Sequence, residues 1–279
     1  MDVVLALDIG GTNLRLVIYD LAGNELGRIT VPTQGGNYHA SFLAMRAAAR
    51  ELAVGHTVVS IGVGIAGAIV RGAITGSGNL PDWIGHDYQR ELENEFGVPA
   101  IVFNDGAAAA LGEFSVFKEP LIYVIWGTGV GVSVAYSSSF VRPTELGHMV
   151  IAKNSRLVCG CGGRGHLEAL VSGKNIPNRF KRLWLFKGPR AEQLNDHQWR
   201  AVLRDMAIGL RNLSAGDIGL PIVLGGGVAC KQAARLAELQ SLVNELTSTC
   251  PAPELRLARL GEDAGLVGAA LAARQLIPA

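Results

Sequence analysis

The 279-residue chain is 49% hydrophobic and 18% charged, the balance of an ordinary soluble globular protein long enough to bury a sizeable core. Its formal net charge of +1 gives no electrostatic footprint for nucleic acid or an anionic membrane. Four cysteines in this length make no disulfide framework, and glycine, at 36 residues, is well above its usual share of ~7%, which points to tight turns and close backbone approach.

The start, MDVVLALDIGG, has no basic region and carries Asp2 and Asp8, so no signal peptide is expected and the chain reads as cytoplasmic with reduced thiols. The longest apolar stretch, residues 58–70, is too short and too broken by glycine to span a bilayer. In chain order, VVLALDI, a turn at Gly10-Gly11-Thr12-Asn13, and LRLVIYD predict a hairpin, and ELGRITVPT follows as a third strand. Phe42, Met45, Ala49 and Leu52 recur at helical spacing over 41–53. TVVSIGVGIAG then reads as a buried strand, YQRELENEF as a helix, PAIVFND as a short strand, and GAAAALGEF as a helix begun by Asp105.

The pattern then starts again. LIYVIWGTGVGVSVAYS is once more strand, glycine-threonine turn and strand, with Trp126-Gly127-Thr128-Gly129 falling near Asp8-Ile9-Gly10-Gly11. A single repeat half a chain apart predicts two related lobes rather than a solenoid. Residues 180–195 have no clean period and read as an irregular connection; a helix at HQWRAVLRDMAIGLRNLSA, the strand PIVLGGGV, a helix at KQAARLAELQSLVNELT and a buried helix over 262–276 complete the chain. Strands alternating with helices place it in the α/β class.

A strand ending in D-x-G-G-T suggests a phosphate site, because glycines let backbone N–H groups converge on an anion and threonine adds a donor. Asp8 at the strand end suits Mg²⁺ held through its waters. A plain glycine hairpin is the alternative for one such loop, but two matched loops plus the LGGGV turn favour phosphate. Neither the P-loop nor the dinucleotide fingerprint is present. Asp105, where a strand meets a helix, is either that helix's cap, the commoner role, or a general base. His148, Cys159, Cys161 and His166 offer four N/S ligands, the number a closed zinc site needs, although C-x-C-x₄-H is not a standard finger spacing and a lone histidine is more often structural. Cys230 and Cys250 are isolated and are expected to be small buried hydrophobes.

These pieces, in this order, resemble the ROK family (repressor, open reading frame, kinase). The resembling residues are Asp8-Ile9-Gly10-Gly11-Thr12, Ala66-Gly67, Asn79-Leu80 with Trp83, Asn104-Asp105, Gly127-Thr128-Gly129, Glu145-Leu146-Gly147-His148, Cys159-Gly160-Cys161-Gly162-Gly163 to Glu168, and Gly225-Gly226-Gly227. The resemblance implies an actin-like ATPase fold, a duplicated ribonuclease-H-like α/β unit with two lobes around a cleft. The small lobe would comprise residues 1–117 with a returning C-terminal helix at 262–279, and the larger lobe residues 118–261. It also implies ATP-dependent phosphorylation of a hexose at the 6-hydroxyl, glucose by default, with Asp105 as general base. Asp8 with Mg²⁺ and the loops Gly10, Gly11, Thr12, Asn13 and Gly127, Thr128, Gly129 would hold phosphates, and Gly226 and Gly227 would let adenosine approach. The sugar would meet Gly67, Asn79, Asn104, Asp105, Glu145, His148 and Glu168, and a structural Zn²⁺ would sit on His148, Cys159, Cys161 and His166.

Two residues depart from the family pattern. His166 stands where a third cysteine is usual, which leaves a Cys₂His₂ zinc site or a degraded one, and Trp126 stands where a smaller aliphatic residue is commoner. Other sugars within the class are N-acetylmannosamine, N-acetylglucosamine, fructose and mannose. A non-catalytic ROK-type sugar sensor is the reading from another class; such regulators carry a helix-turn-helix ahead of the first loop, whereas this loop begins at residue 8 and Asp105 is retained. An actin-like ATPase acting on proteins fits poorly with Glu145, His148 and Glu168. The partners implied are hexose and ATP, with no nucleic acid and no membrane, and family members are often homodimers or homotetramers.

Overall fold

The computed structural model describes residues 1–34, 37–181, 188–246 and 249–278. The predicted hairpin forms from β1 (Asp2–Ile9) and β2 (Asn13–Asp20), and β3 (Glu25–Pro32) adds a third antiparallel strand. Helix α1 (Tyr38–Leu52) leads to β4 (Thr57–Ile65), which lies parallel to β1. A small hairpin of β5 (Ala68–Val70) and β6 (Ala73–Gly76), then α2 (Tyr88–Phe96), precede β7 (Ala100–Asn104), parallel to β4, and α3 (Asp105–Phe117). The sheet order is β3-β2-β1-β4-β7.

The second half repeats this plan. β8 (Leu121–Trp126), β9 (Val130–Ser137) and β10 (Phe140–Thr144) are followed by the short helices α4 (Leu167–Val171) and α5 (Ile176–Arg179), and by the long α6 (Asp196–Gly216). β11 (Ile222–Gly225), α7 (Gly227–Lys231), α8 (Leu236–Glu245), β12 (Leu255–Leu257) and α9 (Ala264–Arg274) close the chain. The second sheet runs β10-β9-β8-β11-β12, with β11 parallel to both β8 and β12. Strand for strand it matches the first sheet, so the repeat seen in the sequence is a repeat of topology, the duplicated ribonuclease-H-like design of the actin-like ATPase fold.

Contacts gather residues 1–119, 135–141 and 262–279 into one unit and residues 120–134 and 142–261 into another. In the first unit, β1 is apolar on both faces because both are covered. Val3, Leu5, Leu7 and Ile9 pack with Leu14, Leu16, Ile61 and Val63 against Met45, Trp83 and Tyr88. On the opposite face Val4, Ala6, Val17 and Tyr19 meet Leu266, Ala269, Ala270 and Ala273 of α9. Helix α9 approaches at backbone distance: a methyl group on Gly62 would overlap the carbonyl of Ala269, one on Gly112 that of Ala264, and one on Gly268 that of Ala108. The alanine and glycine runs of α3 and α9 are thus what lets two helices and a strand share this space.

In the second unit α6 starts at a capping box, with Asn195 Oδ1 accepting from Gln198 N at 2.9 Å and Asn195 N donating to Gln198 Oε1 at 3.0 Å. It buries Trp199, Val202, Leu203, Met206, Leu210 and Leu213. Two sequence expectations are corrected here. The helix predicted from Lys231 onward begins at Gly227 and is interrupted at Gln232 before α8, because a short 3₁₀ turn at Ala233–Arg235 changes the axis. Cys230 is exposed and Cys250 only half-buried, so neither is a core residue. Of the irregular connection expected over 180–195, residues 182–187 lie outside the described residues. No helix among the described residues is long and apolar enough to cross a membrane.

Candidate functional site

In the first unit the turn between β1 and β2 is pinned from below. Gly10 N donates to Asn13 O at 3.0 Å, Thr33 Oγ1 donates to Gly10 O at 2.7 Å, and Thr33 N donates to Thr12 O at 2.8 Å. Gly10, Gly11, Thr12 and Asn13 line an open pocket of about 300 Å³ with Asp8, Arg15 and Glu262. Asp8 Oδ2 accepts from Arg15 Nε at 3.0 Å and from its Nη2 as well, a half-buried ion pair across the hairpin. Asp8 Oδ1 faces Gly64 and Gly265, where side chains would come within 3.9 and 3.4 Å of it. One carboxylate oxygen in a pocket of this size suits a hydrated Mg²⁺ beside phosphates.

Asn79 packs on the same turn: a Cβ at Gly11 would lie 3.0 Å from Asn79 Cβ. Ser77 arranges it, its hydroxyl accepting from Asn79 N at 3.3 Å and Leu80 N at 3.0 Å while donating to Ala66 O at 2.6 Å. Gly67, next along, abuts Gly76 and Ser77 and accepts on its carbonyl from Asn104 Nδ2 at 2.9 Å.

The cap of α3 is Asn104, not Asp105. Asn104 Oδ1 accepts from Gly106 N at 2.9 Å and Ala107 N at 3.3 Å. An N-cap side chain reaches the second and third helical amides, and Asn104, still extended at φ −60°, ψ 143°, is placed to do so. Asp105 keeps one oxygen on Gly106 N, at 2.8 Å, and its own backbone amide and the Asn104 side chain also bond to the carboxyl. Burial pushes its carboxyl up to about 6, and the charge of Asp8 adds to the rise against the lowering effect of its hydrogen bonds. Asp8 and Asp105 flank Gly64, whose Cβ would lie 3.7 Å from Asp105 Cα.

In the second unit Gly127-Thr128-Gly129 turns between β8 and β9, with Gly127 N donating to Gly129 O at 3.0 Å. Trp126 ahead of it is buried, donates Nε1–H to Val171 O at 2.9 Å and packs edge-on against Trp199 at 6.3 Å. Gly226 has φ +87°, and a side chain there would press on the Trp126 carbonyl 2.7 Å away, so the LGGGV turn requires glycine at this position. Glu145 and His148 lie at the end of β10, Glu145 Oε2 3.6 Å from His148 Nε2.

His148, Cys159, Cys161 and His166 place one ligand atom each within 4.8 Å of all the others. Cys159 Sγ lies 3.3 Å from His148 Nδ1, and Cys161 Sγ lies 3.3 Å from His166 Nδ1. Tetrahedral zinc with its usual bonds holds S and N about 3.5 Å apart, so two thiols and two imidazoles here fit that ion. Burial, with help from Glu168, pushes the Cys159 thiol up to about 12, so a thiolate there needs a bound cation. Gly163 makes room for the imidazole at position 166, since any side chain there would overlap the His166 ring. Glu168 accepts from Val130 N at 3.0 Å on Oε2 and from the Cys159 thiol at 3.1 Å on Oε1.

Within each unit, then, the residues singled out from the sequence come together: Asp8, Gly10, Gly11, Thr12, Asn13, Gly67, Asn79, Asn104 and Asp105 in the first, and Gly127, Thr128, Gly129, Glu145, His148, Cys159, Cys161, His166, Glu168, Gly226 and Gly227 in the second. Sequence reasoning missed Arg15, Thr33 and Ser77. Arg15 had a signal, because the hairpin register that pairs Ile9 with Leu14 also pairs Asp8 with Arg15. Thr33 and Ser77 act through turn hydrogen bonds to residues far along the chain and carry no local signature.

Residues 4–276 match the ROK family model. Among curated relatives, the chain is 27% identical to a glucokinase of Streptomyces coelicolor over 318 residues, covering all of this chain and 99% of the relative. It is 29% identical to a glucokinase of Pyrobaculum calidifontis, covering 95% and 93%, and 27% identical to an N-acetylmannosamine kinase of Yersinia pestis, covering 97% and 98%. Among solved structures it is similar to a ROK hexokinase of Thermus thermophilus, 30% identical with a TM-score of 0.85 over 98% of each chain. It is also similar to a ROK family glucokinase of Streptomyces griseus in complex with glucose and AMPPNP, 26% identical with a TM-score of 0.75, covering 98% and 99%.

Proposed function

The chain belongs to the ROK family as a sugar kinase of that type, and from this premise we propose that it transfers the γ-phosphate of ATP to the 6-hydroxyl of a hexose, glucose first. The observation that carries the proposal is the division of labour at the start of α3. Asn104 takes the cap, and Asp105 is left with a carboxyl near 6, flanking the same glycine as Asp8 of the phosphate pocket. A base ionised at neutral pH and still close to it in proton affinity is suited to take a hydroxyl proton in the transition state.

In this reading Asp105 accepts the proton of the 6-hydroxyl as its oxygen bonds to the γ-phosphorus. The bond from that phosphorus to the bridging oxygen breaks, and ADP leaves. Gly10, Gly11, Thr12 and Asn13, with Gly127, Thr128 and Gly129, hold phosphates through backbone N–H groups and the threonine hydroxyls, and Gly226 and Gly227 lie against adenosine. Gly67, Asn79, Asn104, Glu145, His148 and Glu168 orient the sugar with Asp105, since a site built from amides and carboxylates rejects a substrate that lacks its hydroxyl partners. Mg²⁺ bound with ATP beside Asp8 supplies charge neutralisation. His148, Cys159, Cys161 and His166 would hold a zinc ion, which would supply rigidity to the loop carrying Glu168.

The relatives include an N-acetylmannosamine kinase, which makes that sugar the second candidate. Coupled ADP release over a panel of hexoses and N-acetylhexosamines tests the proposal. Turnover should be highest with one of them, and Asp105→Ala should abolish it while sugar binding persists. No turnover with any sugar in the panel would favour a sensor instead.

A further inference from the structure

Segment 168–174 is laced along the second glycine-threonine loop. Glu168 Oε2 accepts from Val130 N at 3.0 Å, Trp126 Nε1 donates to Val171 O at 2.9 Å, Gly173 N donates to Gly127 O at 2.9 Å, and Lys174 N donates to Thr128 O at 3.2 Å. Residues 126, 127, 128 and 130 are thus each tied to one short stretch. Only the contact at Glu168 comes from a charged group, and such hydrogen bonds are the stronger kind. A Cβ on Gly129 would lie 2.7 Å from Glu168 Oε2, so a side chain there would push the carboxylate off its place. The other oxygen, Oε1, points away to Cys159, at 3.1 Å.

We propose that Glu168 is a positioning residue for the nucleotide loop: one carboxylate oxygen holds the amide of Val130 and so fixes the turn Gly127–Gly129, while the other faces the sugar and metal side. The inference rests on the reading of this turn as a phosphate loop, and it extends the role of Glu168 beyond the sugar. The two substrates then share one carboxylate, so a change on the sugar side of Glu168 is felt by the nucleotide with no sugar present.

Calorimetric titration of the full chain with ADP and with a non-hydrolysable ATP analogue, in the absence of sugar, tests this directly. Glu168→Ala should weaken nucleotide binding about tenfold, as expected when a buried amide loses a charged partner. Glu168→Gln keeps an acceptor and should bind nucleotide within about twofold of the original chain. Gly129→Ala should weaken binding in the original background and add little in the Glu168→Ala background, because the carboxylate it collides with is gone. If Glu168→Ala loses sugar affinity but keeps nucleotide affinity, the proposal is overturned and the sugar role stands. If Gly129→Ala costs as much with Glu168 absent as with it present, the coupling is likewise refuted. If no nucleotide binds the original chain, the phosphate-loop reading fails first. Should Glu168→Ala not fold, Glu168→Leu, which keeps the bulk of the side chain and removes the acceptor for Val130 N, takes its place: the proposal expects the same loss of nucleotide affinity, and unchanged affinity overturns it.

Discussion

Replacing Asp105 with asparagine should destroy activity and at the same time stabilise the protein at neutral pH. Asparagine keeps the size of the side chain and an oxygen able to accept from Gly106 N, at 2.8 Å in the original, but carries no charge. The Asp105 carboxyl moves from its ordinary 3.8 to about 6 on folding, chiefly through burial; at 1.36 kcal/mol per tenfold change in proton affinity this is about 3 kcal/mol. The sign follows from linkage. The folded chain binds the proton more tightly than the unfolded one, so stability is lost as pH rises from about 4 through about 6. Above that window the ionised group costs its full amount, and below it the cost vanishes. Urea denaturation of Asp105→Asn and the original chain between pH 4 and pH 8 should show curves that separate with rising pH, by up to about 3 kcal/mol. A stability difference that does not change with pH would refute the argument that burial of a charge, rather than packing, sets the state of Asp105.

The same carboxyl predicts an acid limb in the rate: kcat/KM should fall tenfold per pH unit below about 6, and a flat profile from pH 5 to 8 would remove Asp105 as base. Arg15→Ala should leave Asp8 unpaired, which moves that limb to higher pH through the uncompensated charge of Asp8 and costs about 1–2 kcal/mol of stability, less than a fully buried pair; both are read from a pH profile and urea titration. Metal analysis of the purified protein should find near one zinc per chain, and Gly163→Ala, whose methyl group would overlap His166, should release it to a chelator sooner than the original chain does. Gly268→Ala drives a methyl group into the Ala108 carbonyl, and should lower stability by about 1–3 kcal/mol in urea without changing the KM for either substrate.

Much of this architecture was legible because it is encoded locally. Two continuous apolar runs, β1 and β2, with a glycine-rich turn at Gly10–Thr12 between them force the hairpin, and the second glycine-threonine turn repeats it closely enough that the duplication shows in the letters. The site residues were legible as types at strand ends. Their division of work was not: Asn104 and Asp105 are both good caps, and only the extended backbone at 104 decides which side chain reaches the helix amides. The break at Gln232 was hidden because α8 and the residues before it share one apolar period, and nothing local marks the 3₁₀ turn between them. The roles of Thr33 and Ser77 depend on hydrogen bonds to Gly10 and Ala66, 23 and 11 residues away, and such pairings exist only once the sheet does.

The backbone-level fit of α9 against α3 and β4 also has a consequence in time. The face of the first sheet bearing Val4, Ala6, Val17 and Tyr19 is covered by residues 266–273, which leave the ribosome some 250 positions after it. At a synthesis rate of roughly 5–20 residues per second, that apolar face waits on the order of tens of seconds for its cover. Once β7 and residues 135–141 have been made, the first unit has every strand it needs and lacks only its lid of alanines. The nascent chain is then open to wrong partners at a place where the finished protein packs backbone against backbone.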